Sequence, residues 1–236
     1  MDLSKDEKPQ EQPEMSANGG VKVTSESVQT PKPWLRRYGF SLVLLVLCAV
    51  MGYFILQQNN KKDELPVQGQ GAEFSYTDVN GENVTLSNTN GKARLLYFFF
   101  ANCPDVCPPT TFLMSQVQDE LKEDGVFGKE VEFLSVTIDP ERDTAENLKE
   151  YASRFDADPE GWKFLRGEEQ ETAEMARKYQ ILVNKDDEGN FGHMNLIVLL
   201  DKDGQIRDWI SANDYIEEGE NRRSPSDMAK IIKSVL

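Results

Sequence analysis

The chain has 236 residues, a net charge of −15, three cysteines and a single histidine. That length suffices for one sizeable domain plus appendages. Residues 1–37 hold six acids and six bases, so the whole negative surplus belongs to residues 38–236. A domain that acidic repels phosphate and is a poor nucleic-acid binder; the excess serves either as a solubilising surface or as an acidic docking face. One cysteine pair plus an isolated thiol is not a disulfide scaffold.

Residues 1–33 are rich in Pro, Glu, Gln, Ser and Lys without apolar periodicity, and are expected to be a disordered tail. Residues 34–57 are expected to be a transmembrane anchor. Its core, Tyr38 to Leu56, is nineteen uncharged residues, about 28 Å of helix at about 1.5 Å per residue. Trp34, Tyr38 and Tyr53 suit the interfaces, with Arg36 and Arg37 at one end. The run is too long, and its hydrophilic leader too long, for a cleaved signal peptide. Cys48 sits mid-run behind the bulky Leu47, which argues against lipidation and for a small apolar filler. Lys32, Arg36 and Arg37 before the span outnumber Lys61 and Lys62 after it. The expected topology is therefore single-pass in a bacterial cell membrane, with a cytoplasmic N-terminus and an extracytoplasmic C-terminal domain.

Residues 58–70 read as a linker and 71–236 as the soluble domain. Phe74–Thr77 and Val84–Leu86 flank Asn80-Gly81, a hairpin signal. Residues 94–100 read as a buried strand, 110–123 as a helix with Phe112, Leu113, Val117 and Leu121 inward, and 131–138 as an alternating strand. Asp143 has the place of an N-cap, with Glu146 at the third helical position; the helix it starts runs to about Phe155. A strand at 162–165, a helix at 171–179, strands at 194–200 and 205–210, and a last helix at 227–235 begun by Ser226 complete the pattern. It implies an α/β domain with a central mixed sheet flanked by helices and an N-terminal hairpin extension, behind a single transmembrane helix.

Cys103 and Cys107 stand at the turn between the strand and the helix that follows. At i and i+4 both sulfurs lie on one helical face, and a helix N-terminus lowers a thiol pKa. Three intervening residues leave more room for a metal than the two of a typical dithiol oxidoreductase. The same pair can still bind a soft metal, form a disulfide or exchange one. His193 precedes the apolar strand and is either a packing residue or a third ligand. Two thiolates and an imidazole would select Cu(I), with Cu(II) allowed and Zn(II) a competitor. In an oxidising compartment the pair needs metal or a reductant to escape oxidation.

Phe100-x-x-Cys103-Pro104-Asp105-Val106-Cys107-Pro108, then Ile138-Asp139-Pro140-Glu141-Arg142-Asp143-Thr144, then Tyr151 and Phe155, closely resemble the Sco/SenC family over about residues 70–236. The resemblance implies a membrane-anchored, thioredoxin-like copper protein that assists assembly of cytochrome c oxidase, with one copper, Cu(I) or Cu(II), per domain. It implies copper ligands Cys103, Cys107 and His193. The family histidine follows Asp and precedes Ser or Thr; Gly192 and Met194 stand here instead, which alters the local hydrogen bonding but not the ligand. Asp105, between the cysteines, is expected to orient a partner or tune a thiol. Asp139 is either a support behind the ligands or a turn former before Pro140; Asp143 is assigned to capping.

The leading expectation is a metallochaperone, without enzymatic turnover, that passes copper to the binuclear site of oxidase subunit II. Another copper chaperone or a thiol reductant would be a further partner. The alternatives are a thiol–disulfide reductase acting on the cysteines of that site, with Cys103 and Cys107 as the redox pair, and a redox or copper sensor.

Overall fold

The structure, a computed structural model, describes residues 34–60, 65–186 and 191–236; the expected tail lies outside them. The chain divides into two units between Tyr53 and Phe54. Helix α1 (Trp34–Asn60) runs past the expected anchor end at 57. Within it, Tyr38–Leu56 is long and apolar enough to cross a membrane. Phe40, Leu45 and Leu56 are exposed on it, as is Cys48. A helix apolar on all sides suits lipid rather than one face of a globular core.

The second unit comprises β1 (Gly69–Gln70), β2 (Ser75–Asp78), β3 (Asn83–Thr85), β4 (Ala93–Phe99), α2 (Cys107–Glu123), β5 (Val131–Thr137), α3 (Ala145–Arg154), β6 (Trp162–Arg166) and α4 (Glu169–Lys178). β7 (Val183–Lys185), β8 (Phe191–His193), β9 (Leu196–Leu200), β10 (Gln205–Ser211), α5 (Asn213–Ile216) and α6 (Pro225–Lys233) follow. Eight strands form one mixed sheet in the order β1-β10-β9-β4-β5-β6-β2-β3; β7 and β8 pair separately. β4, β5 and β6 are parallel neighbours, and β9 runs antiparallel to β4. The β2–β3 hairpin joins the β6 edge.

Every residue of β4 and of β5 is buried. The expected alternation in β5 gives way because both faces of a central strand are covered. The expected linker is shorter than the composition suggests. Leu65 O accepts from Arg207, Gln68 N donates to Ile206 O at 2.8 Å, and Gly69–Gln70 is already paired with β10. Polar residues make an edge strand here because backbone groups, not side chains, form the pairing.

Helix α2 starts three residues earlier than expected, at Cys107. Pro108 and Pro109 fit its first turn, where N–H groups have no helical partner to lose. Phe112 is 56 % exposed rather than inward, and Thr110, Thr111 and Met114 take the inner face with Leu113, Val117 and Leu121. α6 is capped by Ser224 in a capping box with Asp227, ahead of Pro225, and not started by Ser226.

Asp143 is not the cap of α3. Thr144 is, accepting from Asn147 N at 3.2 Å. Asp143 turns inward: its Oδ2 accepts from Ala101 N at 3.0 Å and from the Thr137 hydroxyl at 2.5 Å. Burial, with no hydrogen-bond partner for Oδ1, pushes its pKa above the usual carboxylate value. Thr144→Ala should therefore cost about 1 kcal/mol of stability. Asp143→Ala should cost more, about 1–3 kcal/mol for each buried donor left unpaired. Urea unfolding of the two variants checks this; a negligible loss for Thr144→Ala, with about 1 kcal/mol for Asp143→Ala, would return the cap to Asp143.

Candidate functional site

β4 delivers the chain to the site. After Phe99 it turns, with Cys103 N donating to Phe100 O at 3.2 Å, and Cys107 opens α2. Cys103 therefore lies in the turn before the helix rather than on its face, as the i, i+4 spacing had suggested. β9 supplies the other half. Tyr97 pairs with Ile197, so the chain just before β9 arrives at the end of the sheet where β4 gives way to the cysteine turn. The outcome is a contact of 3.3 Å between Cys107 Sγ and His193 Nε2.

His193 Nδ1 lies 3.1 Å from Met194 O. A carbonyl only accepts, so Nδ1 carries the proton and Nε2 turns a lone pair to Cys107. The Met194 backbone thus orients the imidazole, which is how a chain with Gly192 and Met194 at these positions keeps an ordered ring. Burial lowers the His193 pKa and keeps it neutral. The Met194 side chain is 42 % exposed.

The two thiols are unequal. Cys107 is fully buried; Cys103 retains 8 % exposure. The Cys107 thiol donates to the Cys103 sulfur, which lowers Cys103 to about 6, with help from the backbone N–H groups of Asp105, Cys107 and Val106 and against desolvation. The same bond, and then burial, raise Cys107. At neutral pH a single S–H proton faces two bases, the Cys103 thiolate and His193 Nε2. Replacing that proton by a soft cation gives each of the three donors a partner, so the donor set fits a copper ion. Among the described residues no three Cys, His, Asp or Glu side chains are placed to hold a metal ion as they stand. Capture would therefore require Cys107 to lose its proton and the three groups to rearrange.

Asp105 is exposed, and it reaches Cys103 through its backbone N–H. Asp139 is buried and pairs with Arg142 Nε instead of with the sulfurs or the imidazole. Three residues that the sequence reading passed over surround Cys107. The buried Tyr97 hydroxyl hydrogen-bonds to Cys107 and lies 3.4 Å from Asn195 Oδ1. Thr110 donates to the same oxygen at 3.1 Å, and Asn195 Nδ2 donates to Asn213 at 2.7 Å. Burial, then the neighbouring Cys107, raise Tyr97 well above the ordinary phenol value. The available signals were a polar tip inside an otherwise apolar strand and an amide two residues after the lone histidine. Asp143 was visible as well, in the second motif, but capping explained it too readily.

The family model described as SCO1/SenC matches residues 62–224. The chain belongs to this family. The SCO1 protein homolog of Bacillus subtilis (strain 168) is 32 % identical over 168 residues, covering 70 % of this chain and 81 % of that protein. The solved structure of Bradyrhizobium japonicum ScoI with copper bound is 32 % identical, with a TM-score of 0.59 over 71 % of this chain and 99 % of its own. BsSco, a member of the Sco family of cytochrome c oxidase assembly proteins in which a disulfide switch was identified, is 27 % identical. Its TM-score is 0.62, over 73 % of this chain and 96 % of its own. The SCO1/SenC chain described here shares their thioredoxin-like fold, as expected from its motifs.

The inequality of the thiols has a pH signature. With Cys103 at about 6, anaerobic alkylation should be half-maximal near that pH and fall tenfold per unit below it. It should be flat above about pH 7.5, since the thiolate is the nucleophile. Cys107→Ala removes the donor and should shift the midpoint up toward about 8.5. A wild-type rate still climbing through pH 8.5 would contradict the assignment.

Proposed function

We propose that this chain is a membrane-anchored copper carrier of cytochrome c oxidase assembly, with Cys103, Cys107 and His193 as its ligands. The observation that carries the reading is the 3.3 Å contact of the only histidine with Cys107, across 86 residues of sequence. The neutral imidazole turned onto that buried sulfur supplies the third donor that a soft cation would need. Family membership and the copper-bound ScoI relative support the same reading.

Cys103 is the entry point, being the more exposed sulfur and already a thiolate at neutral pH. Cys107 gives up its proton as copper is captured, and His193 closes the set. The cargo would go to the binuclear copper site of oxidase subunit II, its thiolates replacing these donors one at a time. An upstream copper chaperone would load the site. The apolar helix would hold the domain at the outer face of a bacterial membrane, with the N-terminus cytoplasmic.

A second reading has its own observation in the depressed Cys103. As a reductase, the Cys103 thiolate would attack a disulfide in the acceptor and form a mixed disulfide, expelling one acceptor thiolate. Cys107, its proton passing by way of His193 Nε2 to a departing acceptor thiolate, would then displace the other sulfur, leaving the acceptor reduced by two electrons and Cys103–Cys107 oxidised; a thiol reductant would restore the pair. The disulfide switch of BsSco supports the chemistry.

Anaerobic Cu(I) titration of the reduced full-length protein in detergent separates the two. Wild type should bind one copper, Cys107→Ser none with comparable affinity, and His193→Ala distinctly more weakly. At pH 7.5 binding should release about one proton, from Cys107 alone, and about two at pH 5, where Cys103 is protonated too; calorimetry in buffers of different ionisation enthalpy reads the number. Undiminished binding by Cys107→Ser would remove the ligand assignment. Intact oxidase assembly with His193→Ala, alongside loss with either cysteine variant, would favour the reductase.

A further inference from the structure

His193 is not carried by the main sheet. It ends β8 in the separate β7–β8 hairpin, paired with Val183. Leaving the sheet costs the hairpin the backbone bonds that would otherwise fix its position, so something else must seat it against the cysteine turn. On its other side lies a cleft of about 500 Å³ between the hairpin (Val183, Lys185, Phe191) and Glu169, Ala173 and Arg177 of α4. The Lys185–Glu169 pair spans this gap at 2.7 Å, but both side chains are about one-third exposed, where an ion pair holds weakly.

The firm contact is Phe191. It lies two residues before His193 on the same face of the strand. Its ring meets Phe100, which directly follows β4, at 5.7 Å, and Phe100 meets the His193 ring edge-on at 6.1 Å. Two cations approach the Phe191 ring: Lys185 Nζ at 4.9 Å and the Arg142 guanidinium at 5.9 Å from its centroid. Arg142 is itself paired with the buried Asp139. The Arg142 side chain is 47 % exposed, but its carboxylate partner is buried, and that pairing limits its rotamers and holds the guanidinium against the aromatic face.

We propose that Phe191 is a positioning residue that seats His193 at Cys107, and that Asp139 and Arg142 act on the site through Phe191. The segment 138–144, which touches none of the three donors directly in the contacts above, thereby gains a mechanical role. Asp139 fixes Arg142, Arg142 braces Phe191, and Phe191 with Phe100 fixes the hairpin. Asp143 does the corresponding work on the cysteine side through Ala101. This rests on His193 serving as a copper ligand, and the test separates the two ideas.

The full-length reduced protein in detergent, isotopically labelled at its one histidine and at phenylalanine, gives a single imidazole signal. Wild type and Phe191→Tyr should show the nuclear Overhauser contact between His193 and Phe100. Phe191→Leu and Arg142→Gln should lose it while the Cys103–Cys107 reduction potential stays at the wild-type value. Copper should then bind about 10- to 100-fold more weakly to those two variants, the usual effect of removing a ligand's support. Persistence of the His193–Phe100 contact in both variants would overturn the proposal. So would loss of the whole domain's signals, which would make Phe191 a general packing residue. If His193→Ala binds copper like wild type, the copper reading fails, while the imidazole signal still decides whether Phe191 seats the ring.

Discussion

Everything in the site converges on one sulfur. Cys107 Sγ donates toward Cys103, faces His193 Nε2 and sits beside the Tyr97 hydroxyl, all at a point with no solvent exposure. A buried thiol has one proton to offer, and here two bases compete for it. The arrangement is held with a proton on Cys107 and a negative charge on Cys103; in the proposed carrier a soft cation would take the place of that proton.

That convergence depends on strand pairing far more than on local sequence. β4 and β5 lie side by side in the sheet, so the cysteine turn and the segment 138–144 leave neighbouring strands at the same end. β9, antiparallel to β4, begins at that end too, so the residues just before it arrive beside the cysteines. The central strands are buried on both faces and have no freedom to slip, because a one-residue shift would invert every side chain. The site inherits its precision from this register. Its one loosely held part, the β7–β8 hairpin, stands outside the sheet and is placed by aromatic contacts instead.

Such a division would suit the proposed copper carrier, which must both hold and release a soft metal. The two sulfurs are fixed by a strand end, a helix start and the Asp143 link to Ala101. The imidazole is fixed by rings and cations at the edge of a cleft. A centre with two rigid donors and one on a separable element can open from one side. The copper carrier and the disulfide reductase then become two uses of the same two sulfurs, distinguished by whether the hairpin's histidine is needed.

Much of this was legible in the chain. Periodicity located nearly all the main-sheet strands and the four longer helices of the domain, and two short motifs identified the family before any coordinates. Composition singled out Tyr38–Leu56, because length and lack of charge are properties of the segment alone. The errors cluster where a residue has two local explanations and only packing chooses. Asp143 reads as a cap next to Thr144 until Ala101 and Thr137 claim its carboxylate. Phe112 reads as core until Thr110 and Thr111 take its side of α2. Asp139 is not among them: its carbonyl accepts from Asp143 N at 2.9 Å across the turn, while its carboxylate pairs with Arg142. Tyr97, Asn195 and Phe191 gave no local signal strong enough to act on. The sequence by itself determined the candidate donor types and their order, because those follow from side-chain chemistry and chain position. Only the tertiary structure decided that Cys107, not Cys103, keeps the proton, which tautomer His193 holds and what seats it, because these depend on distances between groups that the chain separates by 86 residues.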